Sequence, residues 1–582
     1  MRALLVLLVV AGLPARPAPE PPEHRSVLLV TIDGLRADAA GAGKGTPGIE
    51  AFLRQATHFR AARTPVPQTV PAHVTMMTGL DPLAHGIVGN FCPALGTDRG
   101  FALLAEEFRG AGHATAAFLS SALLGRASGI DAGFERFECP EIGAWPCGSG
   151  MPPAERVEGP LDWLDGLAPG RPFFLWVHLR LRGAGTDRER YAAEVRRADG
   201  AFARLLQAVG GEAVVLLASA HGEGLGEHGE ATHGNLCYSS TMDVFLAARA
   251  PGLARGAADD ALHTLHGVAP SLRCWAGIAR DGLAPLAAPG GGIAMGASLR
   301  AHRVHGWGQV VVAFDGRWSL IESGPRLELF DRRTDPDELH PVDPRGEPAF
   351  GRLERALSAY RAFGRRAGDA RRAYEESAAP YIAARRPVSL LVGRTTNARL
   401  RDPATGLPFL EEIASARTQI RTGVAARRAE PLRAAIKTLD RLAAADPVSP
   451  APWELLAQAW AGLAEIDGGE VAHARAAGAA EEAIARGFSV APVLDLLLRG
   501  ALGSKDADAC RRALDVALKE LIVPDLRCAE RVTELALRID ARGDALSILS
   551  RARKALPGEL EGVRLSELEA RLRDPASPAA GG

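Results

Sequence analysis

This chain has almost no net charge. Its 68 Lys and Arg stand against 69 Asp and Glu, and no long basic run or aromatic-interleaved basic patch disturbs the balance, so no nucleic-acid partner is expected. Lysine is scarce while Ala, Arg and Gly abound, a composition that reflects a GC-rich coding background rather than a function. No apolar run is long enough to cross a bilayer: Ala3–Leu13 is too short. Preceded by Arg2 and followed by a Pro-rich stretch from Pro14, it reads as the apolar centre of a signal peptide ending near Ala15 or Ala18. The other reading is a frayed hydrophobic tail. The seven cysteines are odd in number, and only Cys139 and Cys147 lie close enough in a Pro- and Gly-rich loop to suggest a disulfide. None neighbours the apolar run, so no lipid anchor is expected.

What the chain does have is a dense group of ligating residues in Ser219–Gly234, where His221, Glu223, Glu227, His228, Glu230 and His233 fall within thirteen positions. They follow Ala213–Ala218, an apolar, β-branched run that reads as a buried strand. The group therefore sits where open α/β sheets collect functional side chains. Imidazole and carboxylate are the usual ligands of zinc, manganese and related ions, and the intervening glycines allow tight folding around one. A solvated acidic loop is the alternative.

Two further segments have the same character. The apolar stretch Ser26–Ile32 ends at Asp33, which is placed as a ligand at a strand's end. Downstream, Pro67–Gly79 puts Thr69 just before a run able to form a helix. A hydroxyl at a helix N-terminus sits in a field suited to anions, and a nearby cation could activate it as a nucleophile; Thr69 could equally be a helix N-cap.

Together these segments resemble the sulfatase family of the alkaline phosphatase superfamily: strand and Asp, then a Cys, Ser or Thr nucleophile with a downstream Thr-Gly, then strand and His-Gly. The resemblance extends through Thr46–Glu50, Gly112–Phe118, Ser128–Phe134 and Leu327–Glu338, covering roughly residues 26 to 365. With Thr69 at the nucleophile position, it is similar to the nucleotide pyrophosphatase/phosphodiesterase branch and to bacterial sulfatase-like proteins with C-terminal helical repeats. The resemblance implies an α/β fold, an alkaline-phosphatase-like sandwich with a central mixed, mostly parallel sheet flanked by helices. It further implies Asp33, Thr69, His221 and His233 as ligands of a divalent metal ion (zinc, calcium or manganese), Thr69 also as nucleophile, and His73 near the substrate. The implied substrate is an anionic ester, either a small molecule or a glycan or lipid head group.

The chain also departs from the pattern. Ala220 replaces a metal-binding Asp, Leu181 and Gly183 stand where the second metal's Asp and His would lie, and Ser319 replaces a substrate-binding Lys. Glu223 or Glu227 are candidate replacement ligands. A catalytic zinc site takes about three protein ligands plus water, so Asp33, Thr69 and His221 make a reduced site.

From Glu411 onward strand signals vanish. Arg352–Arg386 reads as helix and Arg394–Pro408 as a polar connector, while Pro492, Pro524 and Pro557 recur at intervals of 32 and 33. Trp453–Ala461 resembles the first helix of a tetratricopeptide repeat, a scaffold suited to a protein partner; a plain helical bundle is the alternative. The expected organisation is a signal peptide (1–18), a linker (19–25), a hydrolase-like domain (26–365), a connector (366–410) and an all-α helical-repeat domain (411–582), in a secreted or periplasmic bacterial protein without a transmembrane segment after signal cleavage. Two functions follow: an ester hydrolase working on a reduced metal site, or an inactive pseudoenzyme that binds through its helices.

Overall fold

The computed structural model describes residues 24–575 apart from 91–94, 96–98, 141–156, 184, 280–285, 287–291, 379–400, 487–489, 521–525 and 556–558. The expected signal peptide and the expected partner Cys147 lie outside the described residues. Among the described residues no helix is long and apolar enough to cross a membrane.

The N-terminal part is the α/β arrangement that the sequence implies. Its eight strands are β1 (Val27–Asp33), β2 (Thr57–Arg63), β3 (Ala114–Leu119), β4 (Arg136–Glu138), β5 (Phe173–Arg180), β6 (Val214–Ala218), β7 (Leu246–Arg249) and β8 (Ala257–Thr264), in the order β4-β3-β5-β1-β6-β7-β2-β8. Only β7 runs against its neighbours. β1 and β6 are buried along their whole length, as expected of central strands covered on both faces.

Strand periodicity decides what meets what. On β1, Val27 and Leu29 face the same core as Trp176, Leu216 and the helix Thr69–Thr78. Leu28, Val30 and Ile32 face the opposite core with Phe202 and Leu205 of the helix Arg188–Ala208. Thr31 and Asp33 continue the odd series and so point toward the Thr69 helix. In the parallel pairing of β1 with β5, Thr31 lies beside His178, which continues the series Phe174 and Trp176 on that same face.

A second, antiparallel sheet follows, built of β9 (Ala294–Ser298), β10 (Val310–Phe314), β11 (Trp318–Ser323) and β12 (Arg326–Asp331). The helix Pro348–Ala378 packs on it through Leu353 and Leu357. The region after residue 402 is all-helical, beginning with Pro403–Ala426, Ala429–Ala445 and Ala451–Asp467. Its helices pack on sequence neighbours and on the next but one around an Ala- and Leu-rich core. Pro492 lies in the first turn of the helix Val490–Ser504, while Pro524 and Pro557 lie outside the described residues.

The helical region starts earlier than its sequence suggests: Pro403–Pro408, read as connector, is the opening of a helix. Asp402 caps it by accepting from the Ala404 N–H, with Pro403 at the first helical position, where a missing N–H is harmless. The same carboxylate accepts from Ser323 Oγ at 2.7 Å and pairs with Arg326 Nε at 2.9 Å. Leu407 joins a core with Leu236, Tyr238 and Val312, and a Cβ at Gly406 would lie 2.5 Å from the Trp307 ring, so only glycine allows this contact. Trp307 Nε1 donates to Asp446 Oδ2 at 2.7 Å. The first helices are thereby docked on the α/β part.

Candidate functional site

At the carboxyl ends of β1, β5 and β6 a cleft of about 510 Å³ is lined by Asp33, Thr69, His221, Glu223 and His233 among others. The loop leaving β1 is fixed by Tyr191, whose hydroxyl donates to the Gly34 carbonyl at 2.8 Å and accepts from the Arg36 N–H at 2.9 Å. Gly34 turns with φ of 79°, and a Cβ there would lie 3.3 Å from Glu223 Oε2.

Thr69 is the first residue of its helix. Gln68, not Thr69, holds the N-cap position, and the Thr69 hydroxyl donates instead to Asp33 Oδ2 at 2.7 Å. The same carboxylate oxygen lies 3.3 Å from His178 Nε2. Asp33 Oδ1 lies 3.8 Å from His221 Nε2, too far for a hydrogen bond. That spacing is close to the separation of about 3.4 Å between two donors of a tetrahedral ion with bonds of about 2.1 Å. Asp33 Oδ1, His178 Nε2 and His221 Nε2 are all buried without a hydrogen-bond partner. Buried polar atoms rarely stay unpaired; His178 Nε2 lies against Asp33 Oδ2, and a divalent cation would satisfy Asp33 Oδ1 and His221 Nε2.

The rings are oriented through their other nitrogens. His178 Nδ1 lies 3.2 Å from Ser120 Oγ and His221 Nδ1 lies 2.9 Å from the Gly222 carbonyl. The latter contact fixes the Nδ1–H tautomer of a neutral His221 and leaves Nε2 as a lone-pair donor. Burial pushes the Asp33 pKa upward, but His178 and His221 outweigh it and hold the carboxyl well below its usual range. Burial, reinforced by His233 and opposed by Asp33, lowers His221 to about 4. At neutral pH the site therefore presents the Asp33 carboxylate and a neutral His221 imidazole, the protonation states that metal ligation needs.

His178 was not anticipated from sequence. Its signal was the strand Phe173–Arg180 running parallel to β1, whose register sets His178 beside Thr31. With Asp33 and His73 it forms a buried group whose ligand atoms lie within 4.8 Å of one another.

His73, expected near the substrate, is instead fully buried beneath Thr69. Its Nδ1 lies 2.7 Å from the Thr69 carbonyl and its Nε2 lies 3.0 Å from Thr31 Oγ1. Helical spacing of i to i+4 turns it back into the core rather than outward, and burial lowers its pKa to about 4.

His233 lines the cleft with its ring 4.0 Å from that of His221, but its Nδ1 is engaged by Glu223 at 3.2 Å, and no contact with Asp33 is formed. Glu227 is not available as a replacement ligand, because Arg36 and Arg188 hold it at 2.9 and 2.8 Å. His228 stacks on Tyr238, and Glu230 accepts from the Asn235 and Leu236 N–H groups. Half of the conspicuous Ser219–Gly234 group is therefore structural.

The expected losses have a clear geometry. Ala220 is wholly buried beside His221, and Leu181 and Gly183 line the cleft without offering a ligand atom. Ser319 is buried in the second sheet and does not border the cleft. Cationic groups come from elsewhere: Arg180, Arg300, Arg303 and Arg417 line the cleft, against two carboxylates, Asp33 and Glu223. Gln68 adds a buried amide Nε2 with no hydrogen-bond partner. These residues were missed because they come from four separate segments, with Arg300 and Arg303 sharing the helix Arg300–His305.

Residues 27–103, which include Asp33 and Thr69, match the family model of type I phosphodiesterases and nucleotide pyrophosphatases. No curated protein sequence matches the chain. Among solved structures, the phosphonate monoester hydrolase of Agrobacterium radiobacter is 16% identical, covers 58% of this chain and 96% of its own, and superposes with a TM-score of 0.47. The phosphonate monoester hydrolase of Silicibacter pomeroyi is 19% identical over 58% of this chain and 95% of its own, with a TM-score of 0.44. A 4S-sulf protein from a glycosaminoglycan-metabolism locus of Bacteroides thetaiotaomicron is 18% identical over 60% and 96%, with a TM-score of 0.45.

Proposed function

We propose that this protein is a metal-dependent hydrolase of phosphate or sulfate esters, exported to the periplasm or beyond, with Thr69 as nucleophile. The observation that carries the reading is the Thr69 hydroxyl bonded to Asp33 Oδ2 while Asp33 Oδ1 and, 3.8 Å from it, His221 Nε2 are buried without a hydrogen-bond partner. Asp33, His221 and the Thr69 oxygen would hold the ion, with His178 lying against the other Asp33 oxygen and orienting that carboxylate. A donor set that includes an imidazole favours zinc or manganese over calcium, which takes oxygen ligands. When bound, such an ion supplies Lewis-acid stabilisation of the charge that builds on the transferred group.

The protein's own residues account for the rest. Asp33 Oδ2 is in place to accept the Thr69 proton, leaving the Oγ1 lone pairs for attack on phosphorus or sulfur. The ester oxygen departs with the bonding pair and takes a proton from solvent at the cleft mouth. Water then cleaves the Thr69 ester, releasing phosphate or sulfate and restoring the hydroxyl. Gln68 Nε2, buried and unpaired on the cleft wall, is a donor for a non-bridging oxygen of the transferred group. The helical region is read as a repeat scaffold that also offers a surface to a protein partner.

The test is elemental analysis of the purified chain together with turnover of aryl phosphate, phosphodiester and sulfate substrates by the protein and its Thr69→Ala variant. Stoichiometric metal with Thr69-dependent turnover supports the hydrolase. Absence of both supports the second reading, an anion-binding pseudoenzyme, which the buried Ala220 favours.

A further inference from the structure

We propose that the first helix of the C-terminal region completes an anion subsite at the cleft mouth, in which Arg417 and Arg300 hold a second anionic group carried by the substrate. The inference rests on the hydrolase reading for the first group and extends it to the substrate's class, an ester with two separated anionic groups.

Arg417 lines the same cleft as Thr69, although it belongs to the helix Pro403–Ala426. Its placement follows from helical geometry. Arg417 comes seven residues after Leu410 and eleven after Gly406, so at 3.6 residues per turn all three lie on one face. Gly406 meets Trp307 and Leu410 packs on the core shared with Leu236 and Tyr238. The helix is thus anchored on the α/β part at its start, and about 16 Å further along the same face Arg417 reaches the cleft.

The charge at the mouth exceeds what one ester group needs. The two cleft carboxylates are already engaged, Asp33 by Thr69 and Glu223 by His233. Arg300 uses Nη1 to donate to the His233 carbonyl at 2.9 Å, which aims its guanidinium along the cleft wall. Arg417 is exposed and forms no hydrogen bond or ion pair with any described residue. The carboxylate in its field is Glu454, which is buried in the helical region and bonded to Gln458.

Desolvation lowers the Arg300 pKa and the like charge of Arg417 lowers it further, against the pull of Glu230. An anion seated between the two guanidinium groups would remove that repulsion and gain charge-assisted hydrogen bonds. The cleft, at about 510 Å³, is of the size that encloses a whole drug-sized ligand, roughly 300–1,000 Å³. A single phosphate or sulfate group would leave most of it empty.

The experiment is calorimetric titration of the full chain with methylenebisphosphonate and with methylphosphonate, both resistant to ester hydrolysis, in buffer free of divalent metal. Arg417→Ala and Arg417→Lys are compared with the unmodified chain, and thermal melts check folding. The expected result is a preference for the bisphosphonate that Arg417→Ala reduces by about tenfold or more and that Arg417→Lys partly retains. An unchanged preference in Arg417→Ala, or equal weakening of both ligands, would overturn the subsite. Failure of the hydrolase reading looks different: no Thr69-dependent turnover while the Arg417-dependent preference persists.

Discussion

Thr69 Oγ1 donates to Asp33 Oδ2 across 2.7 Å although 36 residues separate them. The contact exists because Asp33 falls on the odd face of β1, the face covered by the helix that Thr69 begins. Both residues are buried to within 4% exposure yet border the cleft, so the hydroxyl is held in one geometry with little freedom to lose on substrate binding.

Thr69→Ala removes the attacking oxygen without disturbing the fold, since its side chain caps nothing. We expect kcat for an aryl phosphodiester or sulfate to fall by on the order of a thousandfold or more, the range seen when a nucleophile is removed. Thr69→Ser, which keeps the hydroxyl, is expected to retain turnover within about two orders of magnitude. Equal rates for the unmodified and Thr69→Ala proteins would remove Thr69 from the chemistry.

His178 and His233 make opposite predictions. His178 Nε2 lies 3.3 Å from Asp33 Oδ2, whereas His233 is held by Glu223. His178→Ala is expected to weaken metal binding at least about tenfold to a hundredfold, with His233→Ala leaving stoichiometry near that of the unmodified chain. Elemental analysis after dialysis against a fixed free-metal concentration distinguishes them. Loss of metal in His233→Ala with retention in His178→Ala would reverse the assignment.

His305 carries a pH dependence away from the ligands. It is stacked on Trp307 at 4.5 Å. Burial, with Arg300 and Arg417 adding to it, lowers its pKa to about 3 from 6.5. Because the folded pKa lies below the unfolded one, the native state binds fewer protons between those values. Its contribution to stability is complete above pH 6.5 and is lost as pH falls toward 3, at about 1.4 kcal/mol per unit. His305→Phe keeps the stack and cannot charge, so its stability relative to the unmodified chain should rise as pH drops from 7 to 5 in urea titrations. A difference that stays constant across that range would contradict the assignment.

Much of this architecture is legible in the sequence, and the illegible parts have physical causes. β1 and β6 are apolar runs buried on both sides, so their strands and the ends that carry Asp33 and His221 follow directly from pattern. His178 does not, because its proximity to Asp33 depends on the register of β5 against β1, a non-local quantity. Glu227 misleads for the converse reason: it belongs to a ligand-rich stretch, but the partners that claim it, Arg36 and Arg188, come from distant segments. The Asp402–Ala404 cap could be read locally from Asp-Pro, whereas the contact of Gly406 with Trp307 could not.

Ala220 offers the sharpest test of the site, because it is a buried methyl group at the position where the resembled family has a metal-binding carboxylate. Ala220→Asp would bury a charge at the residue before His221. Without a cation, burying an unpaired carboxylate is unfavourable, and we expect a loss of roughly 2–5 kcal/mol in unfolding free energy in chelator-treated protein. With zinc or manganese present the new carboxylate becomes a further ligand, and binding to the native state alone restores stability in proportion to the logarithm of free metal. The measurement is the urea midpoint of Ala220→Asp and of the unmodified chain across a metal titration. A midpoint for Ala220→Asp that climbs more steeply with metal than that of the unmodified chain places the ion beside Ala220. If instead the variant is destabilised equally at every metal concentration, the ion does not bind between Asp33 and His221, and the unpaired atoms there require another partner.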